Sequence, residues 1–368
     1  MKNGVYEKIT TIVFSLFFAA AFLLCLFFPK SEVSLSERRK LAQFPELNYE
    51  TINSGKAMDG FEDYSLDQFP FRDGFRTIKA WVQYRLFGQK DNNGIYLADG
   101  TVSKLDYPLK EDSVGYAIEH FNKIYKKYFE GTDANIYFSI VPDKNFYLAS
   151  ENGYPCMDYD QLYAKMQQGI AFATHIDLRD CLDSSKYYVT DTHWDQSKIQ
   201  PVVERLASAM GVVDRLSGAY EAKTYNPFYG VYYGQAALPL PADTLTYLTN
   251  STIENATVFN HETEQEGKVY DLALLGSNDP YTMFLSGSQP LLTITNPNAT
   301  DDRTLVVFRD SFGSSLTPLL IEAYSKIIVV DTRYVASQFL NAFVDLSEAD
   351  DVLFLYSSLV LNNSAAFK

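Results

Sequence analysis

The sequence is poor in cysteine and in histidine, and each shortage excludes a class of protein. Its 368 residues include three cysteines, too few for the disulfide framework of a small secreted scaffold. One of them, Cys25, lies in an apolar segment, and for Cys156 and Cys181 a disulfide and two free thiols both remain open. Four histidines with no cysteine cluster beside them do not form the ligand set of a zinc site, so we expect neither a metal ion nor a cofactor.

Basic residues are also few relative to acidic ones. The chain has 31 Lys and Arg against 46 Asp and Glu, a net charge of −15 that argues against nucleic-acid binding, because such binding requires a basic face. An acidic chain with 27 tyrosines is better suited to neutral sugars. Since 46% of the residues are hydrophobic, we expect a folded chain, and its length predicts one large catalytic domain with added parts.

Long apolar runs are lacking except at residues 10–28, which are uncharged and about long enough to cross a bilayer. Lys2 and Lys8 precede this run, and no small-residue cleavage site follows it. We therefore expect residues 1–30 to form an N-terminal membrane anchor, a single transmembrane helix that leaves the rest of the chain extracytoplasmic at the cell membrane. A cleaved signal peptide is the alternative.

Residues 31–112 predict a juxtamembrane helical segment followed by a small hairpin. Apolar side chains recur at roughly helical spacing from residue 55 to residue 87, with a break at Pro70. This pattern predicts two helices whose apolar stripes face the core. Asn-Gly and Asp-Gly pairs flank residues 95–97 and are typical of hairpin turns.

Residues 113–368 predict an α/β catalytic domain. Apolar runs end in turns and alternate with helical patterns, which indicates a parallel sheet with helices on both faces. These predicted strands are residues 134–141, 305–308, 327–330 and 352–356. Residues 214–302 are richer in Thr, Asn, Gly, Tyr and Pro and lose the helical periodicity, so we expect a β-rich insertion there.

A serine follows the predicted strand 305–308 in the sequence Arg-Asp-Ser-Phe-Gly-Ser, and a helix is predicted from about residue 315. Such a turn places the Ser311 hydroxyl at the sheet edge, beside N–H groups that can bind an oxyanion. A serine in an ordinary strand-to-helix turn is the simpler interpretation. Ser311 therefore needs a partner before a catalytic role can be assigned to it.

The segment Asp191-Thr192-His193-Trp194 supplies that partner. In an extended segment, residues two apart point to one side, so Asp191 can orient the His193 ring towards Ser311. Trp194 could shield the pair from water. We expect a Ser-His-Asp site with Ser311 as nucleophile, His193 as base and Asp191 as orienting acid, although the Asp-x-His spacing also suits a pair of metal ligands.

These motifs resemble those of the DHHW proteins, relatives of the alginate O-acetylation proteins within the SGNH hydrolase-like superfamily. The resemblance extends over residues 34–362 and rests on four stretches: Glu37-Arg38-Arg39-x-Leu41, Phe69-Pro70-Phe71-Arg72-Asp73, Asp191-Thr192-His193-Trp194 and Arg309-Asp310-Ser311-Phe312-Gly313. It implies a flavodoxin-like SGNH fold in which Ser311, His193 and Asp191 match the nucleophile, base and acid. Arg309 stands where the Gly-Asp-Ser-like block of the superfamily has glycine. Residues expected to support the oxyanion or the site are Asp310, Gly313, Gly287 and Trp194.

The resemblance implies a membrane-anchored O-acetyltransferase that acetylates an extracellular or cell-wall polysaccharide through an acetyl-serine intermediate. A membrane-bound O-acyltransferase would supply the acetyl group. Nothing in the sequence separates this activity from that of an acetylesterase. A third hypothesis is a non-catalytic polysaccharide-binding protein with residues 225–233 as its sugar platform, for which core aromatic residues are the simpler interpretation.

Overall fold

The computed structural model describes residues 3–34 and 36–368, so the first two residues of the predicted anchor lie outside the described residues. The chain divides into two units. The first consists of Met1–Asn92 and Tyr233–Pro239, and the second of Asn93–Tyr232 and Leu240–Lys368. The predicted division at residue 112 stays a prediction.

The first unit is mainly helical. Its elements are helix α1 (Asn3–Phe27), the antiparallel strands β1 (Val33–Ser34) and β2 (Arg39–Lys40), and helices α2 (Tyr49–Asn53), α3 (Lys56–Asp67) and α4 (Arg72–Trp81), the last continued by a π-helical turn, Val82–Leu86. Residues Gly4–Phe27 are long and apolar enough to cross a membrane, a property that signal sequences share.

The predicted break between two helices at Pro70 is confirmed by the ends of α3 and α4. The prediction that their apolar stripes face the core is wrong. On α4, Phe75, Ile78 and Trp81 are each more than half exposed. The physical reason is that α4 turns its charged side inward, where Arg72 and Arg76 form ion pairs with Glu37.

The second unit is built on an eight-stranded sheet. It begins with the hairpin β3 (Ile95–Ala98) and β4 (Thr101–Lys104). The elements that follow are α5 (Glu111–Tyr128), β5 (Asn135–Val141), α6 (Lys144–Leu148), α7 (Tyr159–Gly169), β6 (Thr174–His175), α8 (Gln200–Ala209), β7 (Glu221–Phe228), α9 (Val231–Ala236), of which the last four residues belong to the first unit, β8 (Asp243–Thr249), α10 (Ser251–Asn255), β9 (Thr257–Asn260), β10 (Gln265–Gly267), β11 (Leu291–Thr295), β12 (Thr304–Arg309), α11 (Ser311–Leu316), β13 (Lys326–Val330), β14 (Asp351–Ser357) and α12 (Ser358–Leu361).

The strand order of the sheet is β10-β9-β11-β13-β12-β14-β5-β6. The five strands from β13 to β6 are parallel, whereas β11, β9 and β10 pair antiparallel. The expected α/β fold with a parallel sheet is therefore confirmed. The β-rich segment contributes the three antiparallel strands, and its other two, β7 and β8, form a separate hairpin.

Strand β12 lies near the centre of the sheet, and this position explains why its residues 305–308 are all apolar. Leu305 and Val307 pack into the core on one face, with helices α8 and α11. Val306 and Phe308 pack into the core on the opposite face, with helices α5 and α7. Because both faces of the strand are covered, alternation of polar and apolar residues is not needed. The end of β12 is thereby held rigidly.

Cys156 and Cys181, for which the sequence allows a disulfide, are both free thiols.

Candidate active site

Ser311 is the first residue of α11, directly after β12 and one linking residue, Asp310. The helix begins earlier than the predicted residue 315, because the Asp310 carboxylate caps it by accepting the Phe312 N–H at 3.0 Å. The other Asp310 oxygen accepts the N–H of Ser357, at the end of β14, at 2.7 Å. Asp310 is fully buried and Ser311 is partly exposed. The serine hydroxyl is thus fixed at the edge of the sheet where the parallel strands end.

Gly313 allows the first turn of α11 to approach the end of β12 closely. A Cβ at this position would lie 2.6 Å from the Cβ of Arg309, closer than side-chain carbons come. The Arg309 guanidinium is fully buried and donates to Asp331 at 3.3 Å and to the Gly287 carbonyl at 3.2 Å. Gly287, which has a φ of +78°, is therefore linked to the serine turn through Arg309.

His193 lies between Ser311 and Asp191. Its Nε2 is 2.8 Å from Ser311 Oγ, and its Nδ1 is 2.6 Å from Asp191 Oδ1. Because a carboxylate only accepts hydrogen bonds, Nδ1 carries the proton and Nε2 is free to accept the serine proton. The structure thus brings together the three residues that the sequence predicts, although 118 positions separate the histidine from the serine.

Asp191 is held by more than the histidine ring. Its Oδ1 also accepts the backbone N–H of His193 at 3.0 Å, and its Oδ2 accepts the N–H of Val231 at 2.8 Å. The adjacent Gly230 leaves room for this contact, since a Cβ there would lie 2.3 Å from the Asp191 Cβ. The Asp191 side chain is about 1% exposed, so these bonds are shielded from water.

The segment before Asp191 is fixed by two ionisable side chains, the partly exposed Asp243 and the buried Lys144. Asp243 accepts the N–H groups of Val189 and Thr190, each at 2.7 Å. Lys144 donates to the carbonyl groups of Tyr188 at 2.6 Å and Val189 at 3.2 Å. Burial lowers the pKa of Lys144 to about 7, and the nearby Asp191 and Asp243 oppose that shift. These contacts fix the backbone that leads into the histidine segment.

An aromatic residue covers the His193 ring. The Tyr281 ring stacks on the imidazole with centroids 3.9 Å apart and planes 9° apart. The Tyr281 hydroxyl and the Trp194 Nε1 each lie 2.8 Å from Ser315 Oγ. Burial raises the pKa of Tyr281 well above its usual value, so the phenol stays neutral. The Tyr281 ring thus covers one face of the imidazole, and Ser315 holds that ring in place through the Tyr281 hydroxyl.

Trp194 is fully buried and packs edge-on against Phe312, with ring centroids 5.2 Å apart. It therefore closes off the side of the site that lies behind the histidine segment. The segment 225–233 is partly core, since Phe228 and Tyr232 are buried while Tyr229 is 40% exposed.

The sequence did not identify Tyr281, Gly230, Val231, Asp243 or Lys144 as supports of the histidine and aspartate, although Gly230 and Val231 lie in the segment 225–233 considered as a sugar platform. Four of them belong to the irregular region after residue 213, where no periodic pattern predicts what a side chain meets. A signal existed for Gly230, a lone glycine among aromatic residues, and for Lys144, a charge directly after a buried strand.

Metal binding has no support in the part of the chain that the structure describes, where no three His, Cys, Asp or Glu side chains are grouped for a metal ion. The other three histidines lie in settings apart from the serine. His120 is on α5, His175 is on β6, and His261 bonds with Thr293 at 2.8 Å.

Comparison with known proteins shows the same fold elsewhere. A family model described as "DHHW protein" matches residues 145–330, just over half of the chain. A DHHW family protein from Eubacterium siraeum is 22% identical, with a TM-score of 0.56 over 75% of this chain and 94% of that one. PatB1 from Bacillus cereus, solved with a sulfonyl adduct, is 16% identical, with a TM-score of 0.56 over 73% and 95%.

The O-acetyltransferase domain of AlgJ from Pseudomonas putida is 12% identical, with a TM-score of 0.45 over 73% of this chain and 92% of that domain. A search of curated proteins gives no match.

Proposed function

The chain belongs to the DHHW protein family, and we propose that it is a membrane-anchored O-acetyltransferase that acetylates a polysaccharide outside the cytoplasm. The observation that supports this most is the hydrogen-bonded series from Ser311 through His193 to Asp191, with distances of 2.8 and 2.6 Å. A serine, a basic imidazole and an orienting carboxylate in this geometry are suited to acyl transfer.

In the first half of the proposed reaction, Ser311 Oγ attacks the carbonyl carbon of an acetyl donor while His193 Nε2 takes the hydroxyl proton. The tetrahedral oxyanion then collapses, the bond to the donor's leaving group breaks, and His193 returns the proton to that group. An acetyl-serine remains. Asp191 stabilises the imidazolium in between through the proton on Nδ1.

In the second half, a sugar hydroxyl loses its proton to His193 Nε2 and attacks the acetyl-serine. The ester bond to Ser311 breaks, and the proton passes from His193 to Ser311 Oγ. The enzyme is restored and the sugar carries the acetyl group. Water in place of the sugar would give the acetylesterase reaction, so exclusion of water from the site decides between the two.

The developing oxyanion needs N–H donors near Ser311. The Ser311 N–H itself is the first candidate, because a residue that opens a helix has no carbonyl four positions earlier within that helix. Gly287 is a weaker candidate, since its N–H already donates to the Phe284 carbonyl at 3.1 Å. Asp310, Gly313 and Trp194 act as supports, through the contacts described above.

The proposed location is supported by α1, which is long and apolar enough to cross a membrane. We propose that this helix anchors the chain in the cell membrane and leaves the residues after it on the extracytoplasmic side. An enzyme in that position needs acetyl groups that have crossed the membrane, and the family resemblance points to a membrane-bound O-acyltransferase as the donor. The acceptor is proposed to be a polysaccharide, with no cofactor taking part.

The test is turnover of a small acetyl ester with and without an acceptor oligosaccharide. We expect Ser311→Ala and His193→Ala to abolish release of acetyl groups and covalent labelling by a sulfonyl fluoride. The matched control is Ser314→Ala, three positions along the same helix and buried, which should keep both. Product acetylated on the sugar supports the transferase, whereas free acetate alone indicates an esterase. Full acetylation of the polymer by Ser311→Ala would mean that the protein has only a binding role.

A further inference from the structure

Helix α4 has the opposite arrangement to an ordinary surface helix. Four apolar residues lie on one side of the helix at helical spacing and are 54 to 64% exposed. They are the N-cap residue Phe71 and the helical residues Phe75, Ile78 and Trp81. We name this set the α4 stripe. The next residues of the same kind, Leu86 and Phe87, are also exposed. Monomeric proteins seldom leave a continuous apolar surface of this kind uncovered.

The other side of α4 cannot exchange places with the stripe. Arg72 and Arg76 reach Glu37 from that side, the second at 3.2 Å, and Ala80 is fully buried. Arg39 adds a pair of hydrogen bonds to Asp67 at 2.6 and 2.8 Å. These ion pairs fix the rotation of α4 about its own axis. The α4 stripe is therefore held on the exposed side of the helix.

The stripe begins where the apolar helix α1 ends. The ring of Phe28, the residue after α1, contacts the ring of Phe71 with centroids 5.1 Å apart. Three residues later, the Ser31 N–H donates to Gln68 at 3.0 Å and the Ser31 carbonyl accepts from Gln68 at 2.8 Å. The chain leaving α1 is thus tied to the junction of α3 and α4. A bilayer crossed by α1 therefore ends beside the stripe.

Charge favours the same surface. Residues 1–92 carry 12 basic and 11 acidic side chains, whereas the whole chain has a net charge of −15. The first unit is thus free of the strong negative charge that anionic lipid headgroups repel. Lys79 and Arg85 flank Trp81 along the chain and are exposed. Aromatic residues with cationic neighbours are typical of helices that lie at the membrane interface.

We propose that the α4 stripe lies in the headgroup layer of the bilayer that α1 crosses, so that the first unit is attached to lipid along a helix as well as by its anchor. The proposal rests on the anchor in the proposed function and does not depend on catalysis. Its occupant is a lipid surface. A second copy of the chain or another protein on the stripe is an outcome of the test.

The two tryptophans of the chain make the test direct, because Trp81 is 58% exposed and Trp194 is fully buried. The full chain is reconstituted in phosphatidylcholine and phosphatidylglycerol vesicles, with and without acyl-chain-brominated phosphatidylcholine. We expect the brominated lipid to quench the fluorescence of Trp81, and we expect aqueous iodide not to quench it. Trp81→Phe should show no bromine quenching, and Trp194→Phe should show nearly complete quenching.

A paired variant checks that the stripe causes the effect. Phe75→Ser with Ile78→Ser should make Trp81 accessible to iodide and weaken its quenching by bromine, while α1 keeps the chain in the vesicles. The matched control is Phe339→Ser with Phe343→Ser, a pair of similar exposure in the second unit, which should leave Trp81 unchanged.

Trp81 that is quenched by iodide but not by bromine in the unmodified chain would overturn the proposal. Trp81 shielded from both would also overturn it, because protein would then cover the stripe. Either result in vesicles that retain the chain after a high-salt wash leaves the anchor standing. Loss of the chain in that wash would overturn the anchor, and with it this proposal. None of these readouts requires turnover, so an inactive enzyme does not affect them.

Discussion

Replacement of Asp191 by asparagine tests the proposed mechanism at one atom. The carboxylate accepts hydrogen bonds from the ring and the backbone N–H of His193 and from the N–H of Val231. An amide has the same shape but only one accepting end. If its NH₂ group faces Val231, this group meets the Val231 N–H, and neither donor has an acceptor there. If it faces His193, it donates to Nδ1 and forces the ring proton onto Nε2, where the Ser311 proton must go.

Either orientation of the amide also removes the negative charge that stabilises the imidazolium. A wrong tautomer and a lost counter-charge together reduce turnover by about 10³ to 10⁴ in serine hydrolases, or roughly 4 to 5.5 kcal/mol of transition-state free energy. We expect Asp191→Asn to lie in this range for hydrolysis of an acetyl ester. Adding Asp191→Asn to Ser311→Ala should cost little more than Ser311→Ala alone, because residues that act as a unit are not additive.

The matched control is Asp195→Asn. Asp195 is also a buried aspartate two positions from His193. Its carboxylate, however, accepts the N–H of Ser197 and caps a short helical turn. Since asparagine also caps well, activity should stay within a few-fold of the parent. The reasoning is refuted if Asp191→Asn, shown to be folded by thermal unfolding, keeps more than about a tenth of the activity, against the loss expected for a triad acid.

Three further outcomes follow from the structure. Tyr281→Leu removes the ring stacked on His193, an interaction worth about 0.5 to 1.5 kcal/mol, so acetyl-ester turnover should fall about 2- to 13-fold while Tyr281→Phe changes it less. Gly230→Ala places a Cβ 2.3 Å from that of Asp191, so turnover should fall and the free energy of unfolding should drop by about 1 to 3 kcal/mol, as measured by denaturant titration. Burial lowers the pKa of His120 from 6.5 to about 4. Between these two pH values the imidazole is protonated in the unfolded chain but neutral in the folded chain. The free energy of unfolding should therefore drop by about 1.5 kcal/mol between pH 6.5 and pH 5, a loss that His120→Leu removes. Equal pH dependence in both proteins would contradict this.

Local patterns were sufficient for the serine turn and for the histidine segment. The apolar run before Ser311 predicts a buried strand, and Asp191 stands two positions from His193, so both features can be found without knowing the fold. Their meeting could be inferred from the chemistry that a serine nucleophile requires. The start of α11 was placed too late because the capping role of Asp310 was not recognised.

The partners of the histidine could not be found in this way. Tyr281 follows Pro280 in a short 3₁₀ turn, and its stacking on His193 is set by tertiary packing alone. The error on α4 has a different cause. An apolar stripe at helical spacing indicates that one side of a helix avoids water, but the pattern is the same whether protein or lipid covers that side.

The position of β14 in the sheet determines when the site can exist during synthesis. This strand lies between β12 and β5, although it is the last of the three to be made. Until residues 351–357 have been synthesised and have left the ribosome, β5 and β12 each expose an unpaired edge, and Asp310 lacks the N–H of Ser357 that holds one of its oxygens. A nascent chain therefore lacks this support of the serine turn for nearly its whole synthesis. A product halted before residue 351 presents open strand edges to chaperones and proteases instead of an aligned serine.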